Sequence, residues 1–303
     1  MDGFRVKYAL FLILVSSLAF SQTKFNSFFI PSDSLNISRR NTVVISEAAL
    51  AGITLVGLNQ LWYADYERSK LHTLNDNNEW LQMDKFGHAF SAYQIGKHGA
   101  QVLNWSGVGE KDQLIYGATL GFGFLSAVEI LDGYSEEWGF SWGDILANAS
   151  GTSLYIGQEL LWKEQRIALK YSFHQTKYAK RNPDKLGNGI LEEVLKDYNG
   201  QTYWLSANLQ SFFKKSKIPK WLNIAVGYGG EGMLRGVESV DNQMLINNSP
   251  YRQMFLSFDV NLDKIKTNSP FLKTIFSVFS MIKIPFPTLE FNKKGCVFHP
   301  FYI

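Results

Sequence analysis

The sequence predicts an α+β fold, with an N-terminal bundle of about four apolar helices followed by an antiparallel, strand-rich half. Two patterns predict this fold class. Between residues 43 and 162 the apolar runs are long and helical in period, whereas from residue 170 to the end they are short and alternate, with turn residues between them. The composition of the 303 residues, 46% hydrophobic and 19% charged, supplies enough apolar surface to bury and excludes a disordered chain.

Net charge and residue counts exclude several classes of function. The net charge of +3 is too small to predict a nucleic-acid partner. A single cysteine, Cys296, excludes an internal disulfide framework and a cysteine-rich zinc module. The glycines between 227 and 232 fit a dinucleotide fingerprint, but no helix or acidic residue completes a βαβ unit, so we expect no nucleotide cofactor. The 8 Trp, 14 Tyr and 23 Phe raise the question of whether part of the surface faces lipid.

The N-terminus is typical of a secretory signal peptide. Arg5 and Lys7 precede an unbroken apolar run over residues 8–15, which is too short to span a bilayer. A small-x-small cleavage pattern then ends at Ser21. We therefore expect residues 1–21 to be removed after Ser21 and the mature protein to be exported, either to the periplasm or to the outer membrane.

Four segments of the first half carry the helical period. The third is apolar for nearly nineteen residues and could span a bilayer by itself, while the second and fourth carry too many polar groups to do so easily. Small residues recur four apart, as at Gly117 and Gly121, and this spacing lets helix backbones approach closely. The predicted helices cover residues 43–66, 84–103, 113–131 and 144–162.

The second half carries the period of strands. The alternation is clearest over residues 251–262, where Met254, Leu256 and Phe258 share one face while Ser257 and Asp259 share the other. Such strands form either a one-sided sheet covering the helices or a partial or small membrane barrel. The predicted strands cover residues 169–178, 201–213, 221–228, 251–262 and 298–303, and an amphipathic helix covers 270–284.

A few polar side chains stand at the ends of the apolar helices, and they are the candidate site. Asp84 and His88 are four residues apart near the start of the second helix, so they share a helix face. Glu129 and Asp132 close the third helix, and Asp144 opens the fourth. An antiparallel bundle would bring these ends together. The same cluster includes six further positions, Lys85, Gly87, Gly133, Trp138, Asn148 and Gly151.

Three hypotheses fit this polar cluster. In the first, Asp84 and Asp144 cap helix N-termini, and His88 and Asn148 hydrogen-bond across the bundle. In the second, the cluster binds a divalent metal, since one imidazole among carboxylates suits such a cation. In the third, a carboxyl group with a raised pKa beside the histidine performs acid–base hydrolysis. The metal ligands or catalytic groups would come from Asp84, His88, Glu129, Asp132 and Asp144.

The motifs around these residues resemble the YfiM-like family of predicted periplasmic lipoproteins, a domain of unknown function. The resemblance covers about residues 41–162, and the chain departs from it by having no cysteine at the cleavage position. A more distant similarity links Asp144, Asn148 and Gly151 to a helix motif of VanZ-like membrane proteins. Both resemblances imply a location in the cell envelope, and neither implies an activity. The motifs are Asp84-Lys85-x-Gly87-His88, Glu129-x-x-Asp132-Gly133 and Trp138-Gly139-Phe140-Ser141-x-Gly143-Asp144-x-x-Ala147-Asn148.

Together these observations predict a signal peptide over residues 1–21, a helical domain over 22–165 and a strand-rich region over 166–303. We expect an exported, membrane-associated envelope protein with a structural or partner-binding role, whose partner is membrane lipid or another envelope protein. The alternative is a membrane-proximal hydrolase, metal-dependent or acid–base, acting on lipid or cell-wall material. We expect no cofactor for an envelope protein with a structural or partner-binding role. For a metal-dependent hydrolase we expect a divalent metal.

Overall fold

The fold is α+β, as the sequence predicts. The computed structural model describes residues 26–64, 66–236 and 249–303, so the predicted signal peptide lies outside the described residues. Six helices of at least seven residues are α1 (Ile37–Leu58), α2 (Met83–Trp105), α3 (Leu120–Gly133), α4 (Trp142–Trp162), α5 (Ile190–Lys196) and α6 (Pro270–Phe279). Shorter helical turns are Asn59–Tyr63, Glu79–Gln82, Glu110–Asp112, Gln113–Gly117, Ala179–Arg181, Pro183–Leu186, Leu209–Phe212 and Leu262–Lys264.

Three helices differ clearly from their predicted bounds. α1 begins six residues before the predicted start, because the side chain of Asn36 caps it by accepting a hydrogen bond from the Arg39 backbone N–H (3.0 Å). The predicted helix over 113–131 is interrupted, since a π-turn over Gln113–Gly117 precedes α3. The interruption lies where Gly117 meets the backbone of α2 at Ala100. The amphipathic helix predicted over 270–284 ends early, at Phe279.

The bundle is held together by close backbone contacts at small residues. α2 packs against both α3 and α4. A Cβ atom added to Gly151 on α4 would lie 2.0 Å from the carbonyl oxygen of Ala89 on α2, and one added to Gly96 would lie 2.3 Å from that of Ala118. These positions therefore require glycine because a side chain would separate the helices. The spacing of small residues in the sequence predicted this kind of packing.

The second half forms one six-stranded antiparallel sheet in the order β1-β2-β3-β4-β5-β6. The strand predicted over 201–213 ends at Asn208, whose side chain caps the helical turn that follows. β5 is absent from the strands predicted from the sequence. The strands are β1 (Ile167–Phe173), β2 (Gln201–Asn208), β3 (Leu222–Glu231), β4 (Tyr251–Val260), β5 (Phe286–Asn292) and β6 (Gly295–Tyr302). Within the described ranges β1 and β6 do not pair, so the sheet is not closed into a barrel.

The sheet is strongly curled. Lys170 on β1 forms an ion pair with Asp259 on β4 (Nζ–Oδ2 2.6 Å), although β2 and β3 lie between these strands. In a flat sheet, strands three positions apart would be separated by about 14 Å. The hydroxyls of Thr202 on β2 and Tyr302 on β6 are likewise 3.0 Å apart. The concave side is therefore the interior of this half, and we call it the inner face.

The inner face is buried and carries most of the polar residues of the sheet around an aromatic cluster of Trp204, Phe255 and Tyr302, while the opposite, outer face is apolar and largely exposed. The part of the outer face near α2 is covered, since Phe86 and Phe90 pack on tyrosines of β1, β2 and β3. Buried polar residues of the inner face are Lys170, Ser172, Thr202, Ser206, Asn208, Asn223, Ser257, Asp259, Thr288 and Glu290. Exposed apolar residues of the outer face are Leu205, Ile224, Val226, Met254, Leu256, Phe258, Leu289, Phe291 and Phe298.

A left-handed turn leads into α2. Trp80, Leu81 and Gln82 have φ values of 47°, 52° and 66°, a conformation that costs about 1–2 kcal/mol for each residue that is not glycine. The sheet and its loops hold this turn. The Trp80 N–H donates to the carbonyl of Gly236 (2.9 Å), and Arg252 on β4 donates to the Gln82 side chain (2.7 Å). The turn sets where α2 begins and so where its first polar residues lie.

Candidate functional site

The polar cluster lies where the first turns of α2 and α4 meet the last turn of α3. Ser141 organises it locally. Its hydroxyl accepts a hydrogen bond from the Asp144 N–H (3.2 Å), which caps α4, and its own N–H donates to Glu129 Oε2 (3.0 Å). The predicted capping role of Asp144 is therefore performed by Ser141. Asp84 is in the first turn of α2, where the N-cap is Gln82, so its carboxylate lies near the positive end of the helix dipole without capping.

Lys85 is the cation of the cluster. Its Nζ lies 2.6 Å from Asp76 Oδ2, 2.8 Å from Asp144 Oδ1 and 3.2 Å from Asp84 Oδ2. Burial disfavours its charge, but these carboxylates outweigh that cost and raise the pKa of Lys85. One ammonium group thus serves three carboxylates, and Glu129 faces His88 instead.

His88 points into the same group of carboxylates. Its Nε2 lies 3.7 Å from Asp84 Oδ1, 3.6 Å from Glu129 Oε1 and 4.0 Å from Asp144 Oδ1. Its other ring nitrogen, Nδ1, is 3.0 Å from Asn148 Oδ1, the side-chain carbonyl of a fully buried residue one turn along α4. Asp84, His88 and Asp144 each offer one ligand atom within 4.8 Å of the others, a separation that one ion could bridge.

The carboxyl groups of the cluster have different pKa values because their surroundings differ. Burial raises the pKa of Glu129 to about 8, with Asp144 adding to the effect and His88 opposing it. Burial and Asp84 raise the pKa of Asp144 to about 7. Burial also acts to raise the pKa of Asp84, but the charges of His88 and Lys85 outweigh burial and lower this pKa. Burial also disfavours a charged His88, yet Asp84, Asp144 and Glu129 together raise its pKa.

Asp132 stands apart from the other candidates. Its Oδ1 accepts a 2.6 Å hydrogen bond from the hydroxyl of Tyr63, and burial raises its pKa to about 6. Trp138 packs edge-on against Tyr63 and Tyr66, so it covers the Asp132 side of the cluster. The structure therefore brings four of the five predicted ionisable residues around one point and places the fifth beside a tyrosine.

The predicted glycines serve packing. A Cβ on Gly87 would lie 2.9 Å from the hydroxyl of Tyr203 on β2, and one on Gly133 would lie 2.5 Å from Leu71. Gly151 is the contact between α4 and α2. None of these three positions leaves room for a side chain, so they fix the distances between the elements that carry the cluster.

Sequence reasoning missed three members of the cluster. Asp76 pairs with Lys85 and accepts a hydrogen bond from the Ser141 hydroxyl (2.6 Å). Tyr198 donates to Asp84 Oδ1 from the loop before β2 (3.0 Å). Asp76 lies in a polar loop and Tyr198 lies in the other half of the chain, so no helical spacing could identify either one. The N-cap Ser141 could have been found, because a serine three residues before an acidic residue is typical of a helix start.

Residues 74–157 match the sequence model of a family described as predicted periplasmic lipoprotein, DUF2279, whose function is unknown. The match contains α2, α3, α4 as far as residue 157 and every predicted residue of the polar cluster, whereas the sheet lies outside it. The description supports an exported, periplasmic location. The YfiM-like name and the likeness to VanZ-like proteins stay predictions. No curated protein and no solved structure matches the chain significantly.

Proposed function

We propose that this chain is an exported envelope protein that binds a lipid bilayer through the apolar outer face of its sheet and through α1, with a structural or partner-binding role there. The observation that carries the proposal is the polarity of the sheet. In a water-soluble one-sided sheet the apolar face is buried and the polar face is solvated. Here the face that carries the polar residues, around one aromatic cluster, is buried and the wholly apolar face is exposed, which is the arrangement expected of strands that face lipid.

The inner face satisfies its polar groups within the protein. Asp259 accepts from the Ser206 hydroxyl (2.7 Å) and pairs with Lys170, and Asn223 donates to Ser206 (2.8 Å). Buried polar groups are tolerated when they are hydrogen-bonded in this way. The apolar side chains of the outer face, in contrast, are in contact with water: Phe258 is 47% exposed and Val226 46%. Contact with lipid hydrocarbon would remove this apolar area from water, and each Å² removed would contribute about 25 cal/mol of favourable free energy.

α1 supports the same conclusion. It is one of two helices in the described part of the chain that are long and apolar enough to cross a membrane. Only 6% of its apolar stretch is buried within the protein. Its 22 residues are about 33 Å long, comparable to the hydrocarbon core of a bilayer. The second such segment, Glu110–Gly133, is more buried and carries Glu129 into the polar cluster, so we assign membrane contact to α1.

The loop between β2 and β3 is suited to a membrane surface. Exposed aromatic residues at this end of the sheet, Phe213 and Trp221, flank four exposed lysines. Aromatic rings at the level of the headgroups and lysines next to anionic lipid are typical of membrane interfaces. The lysines are Lys214, Lys215, Lys217 and Lys220.

Partitioning of the mature chain into lipid vesicles tests the proposal. The substitution Leu256→Lys, in the middle of the outer face, should reduce binding to vesicles about tenfold or more. A charge on a lipid-facing strand costs about 2–4 kcal/mol near the bilayer centre. The measurement is flotation with vesicles of mixed zwitterionic and anionic lipid, at equal protein concentration.

Leu191→Lys is the matched control, since Leu191 is 81% exposed on α5, outside the sheet, and should bind vesicles like the unchanged protein. Equal partitioning of Leu256→Lys and Leu191→Lys would contradict the proposal, as would a mature chain that stays in solution without detergent and does not float.

The second candidate is the acid–base hydrolase. The observation in its favour is that Glu129 and Asp144, with pKa values of about 8 and 7, lie beside His88. Hydrolysis of lipid or cell-wall material by the purified chain, lost in His88→Ala and Asp144→Asn while both variants stay folded, would establish it. Variants that only lose stability would leave the cluster a structural one.

A further inference from the structure

We infer that His88, Asp84, Glu129 and Asp144 form a binding site for one divalent transition-metal ion. The site lies where the helices meet and does not depend on membrane attachment. Its four side chains come from α2, α3 and α4, so an ion there would join all three helices. The exposed fraction of the Asp84 side chain, 26%, leaves a path for a small ion.

The orientation of His88 is that of a metal ligand. Asn148 Oδ1 is a carbonyl oxygen and can only accept, so Nδ1 carries a proton and donates to it. Metal-binding histidines are held in this way, with one ring nitrogen donating to a carbonyl and the other free to bind the ion. The other nitrogen, Nε2, faces Asp84, Glu129 and Asp144, and an ion that binds there displaces its proton.

The distances around Nε2 are too long for hydrogen bonds and suit ligands of a shared ion. An N–H···O bond spans about 2.7–3.2 Å, whereas Nε2 lies 3.6–4.0 Å from the three carboxylate oxygens. Ligands about 2.1 Å from a tetrahedral ion lie about 3.4 Å from one another. Asp84, His88 and Asp144 offer ligand atoms within 4.8 Å of one another, so shifts of up to about 1 Å would bring these three to the spacing of a coordinated ion, with Glu129 Oε1 joining them from beside Nε2.

Glu129 supplies an independent observation. Its side chain is only 1% exposed. Its Oε2 accepts from the Ser141 N–H, while its Oε1 lies 3.6 Å from His88 Nε2. A buried carboxylate oxygen without a donor is costly unless a cation lies next to it. Asp144 Oδ1 is buried too and lacks a well-formed hydrogen bond, although Lys85 lies 2.8 Å away.

The donor set selects the kind of ion. Three carboxylate oxygens and one imidazole nitrogen suit Zn²⁺ or Mn²⁺, because imidazole is a common ligand of transition metals. Ca²⁺ takes six to eight oxygen ligands, and Mg²⁺ prefers oxygen ligands in an octahedron. We therefore expect Zn²⁺ and Mn²⁺ to bind more tightly than either of these two ions.

Metal titration of the full mature chain in detergent micelles tests the inference. After removal of bound metal with a chelator, Zn²⁺ should bind with a stoichiometry of one ion per chain by calorimetry. His88→Ala and Glu129→Gln should lower the affinity about tenfold or more, because each removes one ligand. His299→Ala is the matched control, since His299 pairs with Glu290 on the sheet (2.7 Å) and should leave the affinity unchanged.

A spectroscopic measurement on the unchanged protein keeps the test decisive if a variant does not fold. Co²⁺ in place of Zn²⁺ should give the visible absorption of a four-coordinate site, which Zn²⁺ then displaces and excess Ca²⁺ does not. Absence of saturable binding, equal affinity in His88→Ala, or displacement by Ca²⁺ would overturn the inference. Leu256→Lys should bind Zn²⁺ normally, so failure of the membrane proposal and failure of the metal site are separate results.

Discussion

Lys283 lies inside the curled sheet with little compensation for its charge. It is 1% exposed, its Nζ donates to the Ile284 carbonyl (2.7 Å), and it lies 5.0 Å from the ring centre of Trp204. Burial lowers its pKa to about 8, with Asp259 opposing the effect and Lys170 adding to it. The folded protein therefore holds a charged lysine at neutral pH at a cost in free energy.

This cost predicts a pH dependence of stability. The pKa of Lys283 falls from 10.5 to about 8 on folding, so between these values the folded state loses its proton before the unfolded state does. The free energy of unfolding should therefore rise with pH in this window, on the order of 1–3 kcal/mol, and Lys283→Met should reduce the rise to the part that Lys170, whose pKa burial also lowers, contributes. Chemical denaturation in detergent micelles between about pH 7 and about pH 10 measures it, and parallel curves for the two proteins would contradict it.

At the same scale, the sequence identifies the cluster residues that repeat on a helix face. Asp84 with His88 and Asp144 with Asn148 are spaced by one helical turn, and the structure places all four side chains together. Residues that arrive from loops could not be predicted in this way, because their position depends on tertiary contacts. Asp76 and Tyr198 are of this kind.

Among the elements, the contact between α2 and α4 is the least tolerant. Gly151 lies against the backbone of Ala89, while a Cβ on Gly157, almost two turns later on α4, would meet nothing within 4 Å. Gly151→Ala should therefore lower the free energy of unfolding by about 2 kcal/mol or more, since the helices must separate. Gly157→Ala should raise it by up to about 1 kcal/mol, because alanine favours a helix.

Thermal unfolding of both variants in the same detergent measures the difference. The paired substitution separates packing from helix propensity, because both changes are glycine to alanine within one helix. Similar midpoints for the two variants would show that the backbones of α2 and α4 do not approach as closely as described.

Element boundaries show why the period of a sequence is only a partial guide. The alternation of β2 continues past Asn208, but the side chain of that residue bonds to the Ser211 N–H (3.0 Å) and starts a helical turn. β5 was not predicted because it is short and begins with Phe286 and Pro287, and proline weakens the sequence signal of a strand. Local capping and proline thus decide ends that hydrophobic period alone does not.

For the whole molecule, the question is what covers the outer face. The sequence predicted which residues share each face of the sheet, yet not that the polar set would be the buried one. Alternation has the same period whichever face is inside, and only the curl of the sheet selects between them. That curl depends on contacts between distant strands, such as Lys170 with Asp259.

The single cysteine offers a direct test at this scale. Cys296 is exposed, and it pairs across β5 and β6 with Phe291, so it lies on the outer face. A polarity-sensitive fluorophore on Cys296 should shift to shorter wavelength when vesicles are added. The same label on Ser216→Cys in a Cys296→Ser background, in the lysine-rich loop, should shift much less. Equal shifts, or none at Cys296, would contradict burial of this face in lipid.

The left-handed turn before α2 has a consequence for how the two halves of the chain unfold. Its unfavourable backbone is maintained by Gly236 and Arg252, which belong to the strand-rich half, while the helix it starts carries the polar cluster. If the sheet opened by itself, the turn would lose these bonds and relax, and α2 would lose its starting point. Helices and sheet should therefore melt in one cooperative transition, so neither half should be obtained as a stable fragment by limited proteolysis.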